Sequence, residues 1–356
     1  MNLVTTLDIK FKKVEKSKLP NTDFSNIQFG KVYSDHMFVA DFVDGQWSAC
    51  SIEPYENLQI APANFTLHYG QSVFEGLKAY KGDNGNIHVF RPYDNLKRMN
   101  ISASRLCMPK IPEEIFIDGI KALIEVDKGW VPEEEGTALY IRPLMFGNDE
   151  YIGIKPSDNY KFIIFTCPVG PYYSEALKVK IELNYVRAAA GGTGYAKVAG
   201  NYAASLLPAQ EAMNEGYQQL IWTDCKDHER IEESGTMNLM FIINDTIVTP
   251  LTGETILRGI TRDSILTIAR DWGVKVEERE VTVTEVIEGI RNGYLTEAFG
   301  TGTAATITHI KAIGYKGVDY NLPPVPSDSI SNKILGHLLK LHRARTEDKY
   351  NWLLDI

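Results

Sequence analysis

A cluster of proline and glycine residues near position 170 interrupts the chain's strand-like and helix-like segments and predicts a domain boundary. Short strand-like and helix-like segments follow one another up to an apolar run at residues 160–169, where Pro168, Gly170 and Pro171 interrupt them. The length of 356 residues suffices for two separate cores. We therefore expect a first domain at residues 1–172, with 1–35 as an irregular arm, a connection at 173–180 and a second domain at 181–356.

Mixed short strands and helices in both halves predict an α+β architecture rather than a regular βαβ winding. Pro208 predicts a kink or a late start in the helix that contains it. Asp44-Gly45 and Asn244-Asp245 supply hairpin turns. Apolar spacing predicts helices at 91–107, 113–126, 201–214, 261–272, 284–291 and 330–341, and strands at 37–43, 137–146, 160–169, 218–222 and 304–310.

The charge of the chain argues against two classes of partner. The net charge is −9 at pH 7, whereas nucleic acids and anionic membrane surfaces attract a basic face. No apolar run is long enough to span a bilayer, and the first residues lack the features of a secretory signal. The four cysteines are scattered and lack metal-site spacing, which favours free thiols, no metal and a cytoplasmic location.

Lys197 is the residue most suggestive of chemistry. It is the only lysine in a run of glycines and alanines, GGTGYAKVAGNY, at residues 191–202. Small and apolar neighbours would desolvate its amine and lower its pKa, as Schiff-base chemistry requires. The glycines allow a flat molecule to approach the backbone closely. A surface lysine in a flexible loop is the plain alternative.

An acidic pair follows 36 residues after Lys197, at Glu232 and Glu233. In pyridoxal phosphate enzymes an acid keeps the pyridine nitrogen protonated, so that the ring accepts electrons. Spacing alone leaves open which of the two acids points inward, and a solvated acid is the plain alternative for both.

Two segments are candidates for binding a phosphate. Gly259 permits close backbone approach and Thr261 can cap the helix that follows, although an ordinary capped helix has the same pattern. The segment 299–305 matches a dinucleotide-binding pattern at Gly300, Gly302 and Ala305. Because strand-like residues follow it instead of a helix, we interpret it as a backbone nest for an anion.

Together these segments resemble the branched-chain amino acid aminotransferases. These are pyridoxal phosphate enzymes of fold type IV, as are D-amino acid aminotransferase and aminodeoxychorismate lyase. The resemblance runs from about Phe29 to the C-terminus, and its motifs lie at residues 67–76 (LHYGQSVFEG), 90–92 with Arg98, 139–143 (LYIRP), 197–202, 233–238 and 299–304. It implies a smaller N-terminal α/β domain, a larger C-terminal barrel-like domain and a homodimer.

The resemblance also implies how pyridoxal 5′-phosphate is held. Lys197 is similar to the Schiff-base lysine that also moves the proton during transamination. Glu233, rather than Glu232, is similar to the partner of the pyridine nitrogen, and Tyr202 to the tyrosine that hydrogen-bonds the phenolic oxygen. The residues similar to phosphate ligands are Arg98, Ile260, Thr261 and Thr303.

Substrate residues are implied in the same way. Thr236 and Ala304 resemble the residues that bind the α-carboxylate, and Arg142 resembles the one that receives the γ-carboxylate of glutamate. Strand alternation independently puts Arg142 on the same face as Tyr140. The residues similar to the aromatic wall of the side-chain pocket are Phe29, Tyr69, Phe74, Tyr140 and Tyr172.

The resemblance implies reversible, two-step transfer of the amino group of L-leucine, L-isoleucine or L-valine to 2-oxoglutarate. Animal members often carry a Cys-x-x-Cys pair where this chain has Ala305 and Thr308, so we expect no thiol switch. A D-amino acid aminotransferase or a lyase of the same fold type is the alternative interpretation. A nicotinamide oxidoreductase, which rests only on the glycine pattern at 300–305, and a cofactor-free binding module are more distant.

Overall fold

A computed structural model describes residues 7–170 and 175–356. The chain divides into two compact units. The first comprises Met1–Tyr172, Ala196–Gly200 and Leu339–Ile356, and the second comprises Tyr173–Tyr195 and Asn201–Leu338. The sequence placed both 196–200 and 339–356 in the second domain. With these two segments the first unit holds more residues than the second.

The first unit is built on one mixed sheet, with ten strands in the described residues. Its order is β1-β4-β2-β9-β8-β6-β7-β19, with β3 paired to β2 and β5 paired to β8. The strands are β1 Ile9–Phe11, β2 His36–Val43, β3 Gln46–Trp47, β4 Cys50–Pro54, β5 Ser72–Phe74, β6 Leu77–Lys81, β7 Ile87–Phe90, β8 Ala138–Gly147, β9 Tyr160–Val169 and β19 Leu353–Asp355. The arm at 1–35 is thus not wholly irregular, since β1 pairs in parallel with β4.

This sheet is accompanied by the helices α1 Phe65–Tyr69, α2 Pro92–Arg105 and α3 Gly119–Val126. A π-helical turn at Glu114–Asp118 leads into α3, so the predicted helix at 113–126 is continuous but not uniformly α-helical. A Cβ atom on Gly119 would lie 3.0 Å from the Phe38 ring. Glycine therefore lets α3 pack closely on β2, which offsets its low helix propensity.

The second unit contains a closed barrel. Strands β10, β11, β12, β13, β16 and β17 pair in that order, and β17 pairs with β10 to complete the ring. Val179, Leu239, Phe241 and Ile313 belong to its buried apolar core. The strands are β10 Leu177–Ile181, β11 Gln219–Thr223, β12 Ile231–Ser234, β13 Met237–Ile243, β14 Thr246–Pro250, β15 Val276–Arg279, β16 Leu295–Gly302, β17 Thr306–Tyr315 and β18 Val318–Asn321. This arrangement confirms the expected α+β, barrel-containing fold.

The predicted helix at 201–214 is interrupted. Its residues form α4 Ala199–Ala203 and α5 Leu206–Asn214, and Pro208 lies in the first turn of α5, where its missing N–H breaks no helical hydrogen bond. The later helices are α6 Ile260–Asp271, α7 Val283–Asn292 and α8 Ile330–His342. None of the described helices combines the length and apolarity needed to cross a membrane.

Candidate active site

The backbone of Lys197 is fixed although glycines precede it. Its amide nitrogen donates to Ser102 Oγ at 2.8 Å, and its carbonyl oxygen accepts from the Phe74 amide at 3.2 Å. The next residue, Val198, forms an antiparallel bridge with Val73. Strand β5 and helix α2 therefore hold the lysine within the first unit, which a freely moving surface loop would not show.

The side chain of Lys197 lies beside a cluster of aromatic rings. Its Nζ is 4.8 Å from the Phe74 ring centroid, and the guanidinium carbon of Arg142 is 4.7 Å from the same ring. Arg142 Nη2 donates to the Tyr140 hydroxyl at 3.0 Å, so the two residues share a face of β8 as strand alternation predicted. Phe29 packs edge-on against Tyr140, with ring centroids 5.0 Å apart. The first unit thus brings five of the predicted residues together.

Arg98, the predicted phosphate ligand, is paired with a buried carboxylate. Glu75 is fully buried, and its two oxygens accept from Arg98 Nε at 2.7 Å and Nη2 at 2.8 Å. Burial alone would raise the pKa of Glu75. The charges and hydrogen bonds of Arg98, with Lys197 and Asn95, outweigh burial and hold that pKa below its ordinary value.

One face of α2 carries three polar side chains of this site. Asn95 donates to Glu75 at 2.7 Å, Arg98 pairs with the same carboxylate, and Ser102 accepts the Lys197 amide. Their spacing of three and four residues is that of one helix face. Site roles for Glu75, Asn95 and Ser102 were not predicted from the sequence. For Asn95 and Ser102 the available signal was a polar residue at core-facing helical spacing in α2.

Both members of the acidic pair in the second unit are buried, Glu232 with 7% and Glu233 with 4% of its surface exposed. Between Ile231 and Ser234, β12 has one residue more than the paired part of β11, which marks a β-bulge. Burial raises the pKa of Glu232, although a hydrogen bond from Thr255 and a nearby guanidinium oppose the shift. Burial therefore does not distinguish Glu232 from Glu233, but their hydrogen bonds and ion pairs do.

Glu233 has the contacts of a held carboxylate. Its Oε1 lies 3.0 Å from Arg187 Nε in an ion pair that lacks hydrogen-bond geometry. Its Oε2 accepts from the Leu257 amide at 3.1 Å and lies 3.4 Å from Asn238 Nδ2. Asn238 also donates to the Leu257 carbonyl at 2.8 Å. Arg187 and Asn238 are further contact residues that were not predicted from the sequence.

The start of α6 is built for close approach. A Cβ atom on Gly259 would lie 1.9 Å from Asn238 Oδ1, so only glycine fits beside that amide. Gly259 is extended at the N-cap and no side chain caps the helix, while Ile260 and Thr261 in its first turn are buried. The N–H groups of a first turn and the helix dipole favour an anion.

Two turns that join barrel strands contain further predicted residues. Thr236 is in the turn between β12 and β13, and Thr303 and Ala304 are in the turn between β16 and β17. A Cβ atom on Gly302 would lie 3.6 Å from the Thr236 carbonyl oxygen. Asn238 in β13 pairs with Glu233 in β12 and with Thr301 in β16, so both turns lie close to Glu233. The second unit therefore gathers Glu233, Thr236, Gly259, Ile260, Thr261, Thr303 and Ala304 at one end of its barrel.

Two of the remaining predicted residues lie on helices. Tyr69 is 41% exposed on α1, and its ring packs against the rings of Phe65 and His68. Tyr202 lies half-buried in α4, and its carbonyl accepts from Ser205. Tyr172 lies outside the described residues.

The glycine pattern at 300–305 is not a dinucleotide-binding turn. Gly300 and Gly302 belong to the antiparallel strand β16, which leads through a tight turn into β17. A dinucleotide fingerprint instead joins a strand to a helix. The geometry removes the only basis for the nicotinamide alternative.

Comparison with known proteins gives consistent matches. The family model of the class IV amino-transferases matches residues 72–313. Branched-chain-amino-acid aminotransferase 2 of Bacillus subtilis is 40% identical over 348 residues, covering 97% of this chain and 96% of that protein. A probable branched-chain-amino-acid aminotransferase of Staphylococcus epidermidis is 42% identical over 353 residues, covering 98% of each.

Solved structures match in fold as well. The branched-chain aminotransferase of Thermoproteus uzoniensis with norvaline has a TM-score of 0.73 at 27% identity, covering 90% of this chain and 99% of that chain. The branched-chain amino acid aminotransferase from Escherichia coli has a TM-score of 0.72 at 26% identity, covering 90% and 98%. A further branched-chain amino acid aminotransferase, complexed with N-(5′-phosphopyridoxyl)-L-glutamate, has a TM-score of 0.71 at 25% identity, covering 88% and 97%.

Proposed function

The chain belongs to the class IV aminotransferases and transfers the amino group of branched-chain amino acids, and we propose that Lys197 is the residue through which it does so. One observation carries the proposal. The Phe74 ring centroid lies 4.8 Å from the Lys197 amine nitrogen and 4.7 Å from the Arg142 guanidinium carbon. The Lys197 amine thus lies beside an aromatic ring and near a guanidinium, a group able to bind a carboxylate.

The donor set fits pyridoxal 5′-phosphate, the cofactor of this family. Lys197 supplies the primary amine that its aldehyde requires, and Glu233 supplies a carboxylate for its ring nitrogen. Gly259 brings the backbone close at an uncapped helix start, where Ile260 and Thr261 would hold the phosphate. Arg98, Tyr202 and Thr303 complete the proposed set, as the resemblance implies.

When bound, pyridoxal 5′-phosphate supplies an electron sink that stabilises negative charge developing on the substrate's α-carbon. Lys197 Nζ would take up the substrate's α-proton as a general base and then give a proton back as a general acid. Glu233 keeps a proton at the ring nitrogen, and Arg187 and the Leu257 amide hold that carboxylate in place.

The substrate pocket must accept an aliphatic side chain in one half-reaction and a carboxylate in the other. Phe29, Phe74 and Tyr140 provide apolar surface, worth about 0.8 kcal/mol for each methylene buried. Arg142 Nε is buried and has no hydrogen-bond acceptor among the described residues. We propose that Arg142 binds the γ-carboxylate of glutamate and 2-oxoglutarate, and that Thr236 and Ala304 bind the α-carboxylate.

Replacing Lys197 with alanine tests the proposal. We expect leucine turnover with 2-oxoglutarate to fall at least about 100-fold, since proton transfer by a positioned side chain contributes that much. Lys128→Ala removes an exposed lysine that pairs with Glu125 and should leave the rate unchanged. Near wild-type turnover by Lys197→Ala would contradict the assignment. Comparing L-leucine with D-alanine separates a D-amino acid aminotransferase.

We also propose a homodimer, which the resemblance implied. Large apolar side chains are exposed on each unit of the single chain. On the first they include Ile152 and Ile154, with exposed fractions of 69% and 95%, and on the second Leu206, with 69%. Such exposure marks candidate association surfaces. Light scattering that shows a fully active monomer would contradict a dimer.

A cytoplasmic location is proposed on the chemistry of the thiols. Cys50, Cys107, Cys167 and Cys225 are all free, as expected of a chain kept in a reducing compartment. Fractionation of the source cells, with antibody detection of the chain, would test it.

A further inference from the structure

A fully buried carboxylate, Glu75, has no role in the function proposed above. Its Oε1 accepts from Arg98 Nε at 2.7 Å. Its Oε2 accepts from three donors, Arg98 Nη2 at 2.8 Å, Asn95 Nδ2 at 2.7 Å and the Gly76 amide at 3.1 Å. Four hydrogen bonds to one carboxylate that is 0% exposed form a built site and not an incidental surface pair.

We propose that Glu75 is a positioning residue, which holds the Arg98 guanidinium in the orientation that binds the cofactor's phosphate. The proposal rests on the proposed function, because it takes the phosphate as the ligand of Arg98. It adds a residue that contacts neither the reacting atoms nor, in our assignment, the cofactor.

The geometry explains why an arginine needs such a partner. The arginine side chain has several rotatable bonds, and ordering it costs rotamer entropy. Two parallel hydrogen bonds to one carboxylate fix both the place and the plane of the guanidinium. Since the pair is buried, salt screens it little. Arg98 is therefore oriented before any phosphate arrives.

The donors also predict that glutamine cannot replace Glu75. A glutamine amide has one acceptor oxygen, and Oε2 is the position that faces three donors. The amide –NH2 would then occupy the Oε1 position and face Arg98 Nε, which is itself a donor. One of the two bonds that fix Arg98 is lost, although the side chain keeps its size.

A second mode of action must be distinguished from the proposed one. Lys197 also contributes to the lowered pKa of Glu75, so the carboxylate could act on the lysine amine through its charge. The two modes differ in which part of the cofactor they affect. Action through Arg98 affects only the phosphate, whereas action on Lys197 affects the aldehyde as well.

Pyridoxal 5′-phosphate and phosphate-free pyridoxal are therefore the two probes, titrated by absorbance into the full-length chain. For Glu75→Gln we expect phosphorylated cofactor to bind about 10-fold or more weakly, as loss of a charge-assisted hydrogen bond implies. Binding of pyridoxal should stay within about threefold of wild type. Asp127→Asn is the matched control, because Asp127 is a buried carboxylate of the same unit that instead binds His36. It should change neither affinity.

Two results would overturn the proposal. One is wild-type affinity of Glu75→Gln for the phosphorylated cofactor. The other is an equal loss of both probes, which indicates action on Lys197 or on the fold. If Glu75→Gln does not fold, Glu75→Asp decides between the same outcomes. It keeps the charge but withdraws the carboxylate by one methylene, and it should lose the phosphorylated probe selectively.

The proposed function is tested separately by leucine turnover of the wild type and of Lys197→Ala. Failure of the proposed function would appear as near wild-type leucine turnover by Lys197→Ala, whatever Glu75→Gln does. A wrong assignment of Glu75 would instead leave wild type active and the two probes equally affected in the variant. The failures of the two proposals are therefore distinguishable.

Discussion

Substituting Arg142 with methionine should slow the half-reaction with 2-oxoglutarate much more than the half-reaction with leucine. Methionine keeps an unbranched apolar stem beside the Phe74 ring but removes the guanidinium that lies 4.7 Å from that ring. The removed group donates to the Tyr140 hydroxyl, and its buried Nε has no hydrogen-bond acceptor in the part of the chain that the structure describes. Glutamate and 2-oxoglutarate have a second carboxylate for it to bind, and leucine does not.

The size of the effect follows from the hydrogen bonds that are lost. A charge-assisted hydrogen bond contributes about 1.5–3 kcal/mol, and each 1.4 kcal/mol is about a factor of ten. Arg142 is only partly buried, which favours the lower half of that range. We therefore expect kcat/KM for 2-oxoglutarate to fall about 10- to 50-fold, and kcat/KM for leucine to change less than about threefold.

Single-turnover absorbance measurements follow each half-reaction separately. Arg345→Met is the matched control, since Arg345 is an exposed arginine of the same unit paired with Asp83. Thermal unfolding should be recorded beside the kinetics, because the lost contacts of Arg142 with two aromatic rings cost about 0.5–1 kcal/mol each. Equal losses in both half-reactions, or an unchanged reaction with 2-oxoglutarate, would refute the assignment of Arg142.

Three further predictions test the second unit and the thiols. Gly259→Ala should lower the unfolding midpoint and weaken cofactor binding, because its Cβ would displace the Asn238 amide, whereas Gly253→Ala meets no atom within 4 Å and should be neutral in calorimetry. Glu232→Gln should stabilise the fold at neutral pH in denaturant titrations. The raised pKa of Glu232 makes wild type lose stability as pH rises above 4.5, so the gain should vanish below that pH. Cys167 should resist alkylation at pH 8 in the folded enzyme, because burial raises its pKa to about 11, and mass spectrometry would detect modification.

Local chemistry made several elements predictable. Helix α2 was expected at 91–107 and is observed at Pro92–Arg105, because proline at its start and apolar residues at helical spacing are both local signals. The hairpin at Asn244-Asp245 was expected too. Both residues have positive φ, 47° and 58°, which suits the tight turns that join twisted strands.

The acidic pair shows where local information ends. Strand alternation would put Glu232 and Glu233 on opposite faces, one of them towards solvent. Both are buried in β12, whose register with β11 shifts, and that register depends on the partner strand. The choice of Glu233 came from resemblance. Its contacts with Arg187 and Leu257 now support that choice in physical terms.

The missed residues have a common cause. Glu75, Asn95 and Ser102 read as ordinary polar residues, and only tertiary pairing makes them buried partners of Arg98 and Lys197. A buried polar group is tolerated when its hydrogen bonds are satisfied, and sequence alone does not reveal the partner. The pairing of β19 with β7 was unpredictable for the same reason, since it joins distant parts of the chain.

That pairing has a consequence for how the nascent chain matures. His88 in β7 and Asp355 in β19 are 267 residues apart, and their side chains meet at 2.6 Å. Ribosomes add about 5–20 residues per second, so roughly 13–50 s of translation separates the two strands. During that interval the whole second unit is made while β7 presents an open edge, the kind of surface that recruits other chains. Slow or stalled translation between the two strands should therefore favour aggregation more than the stability of the finished enzyme suggests.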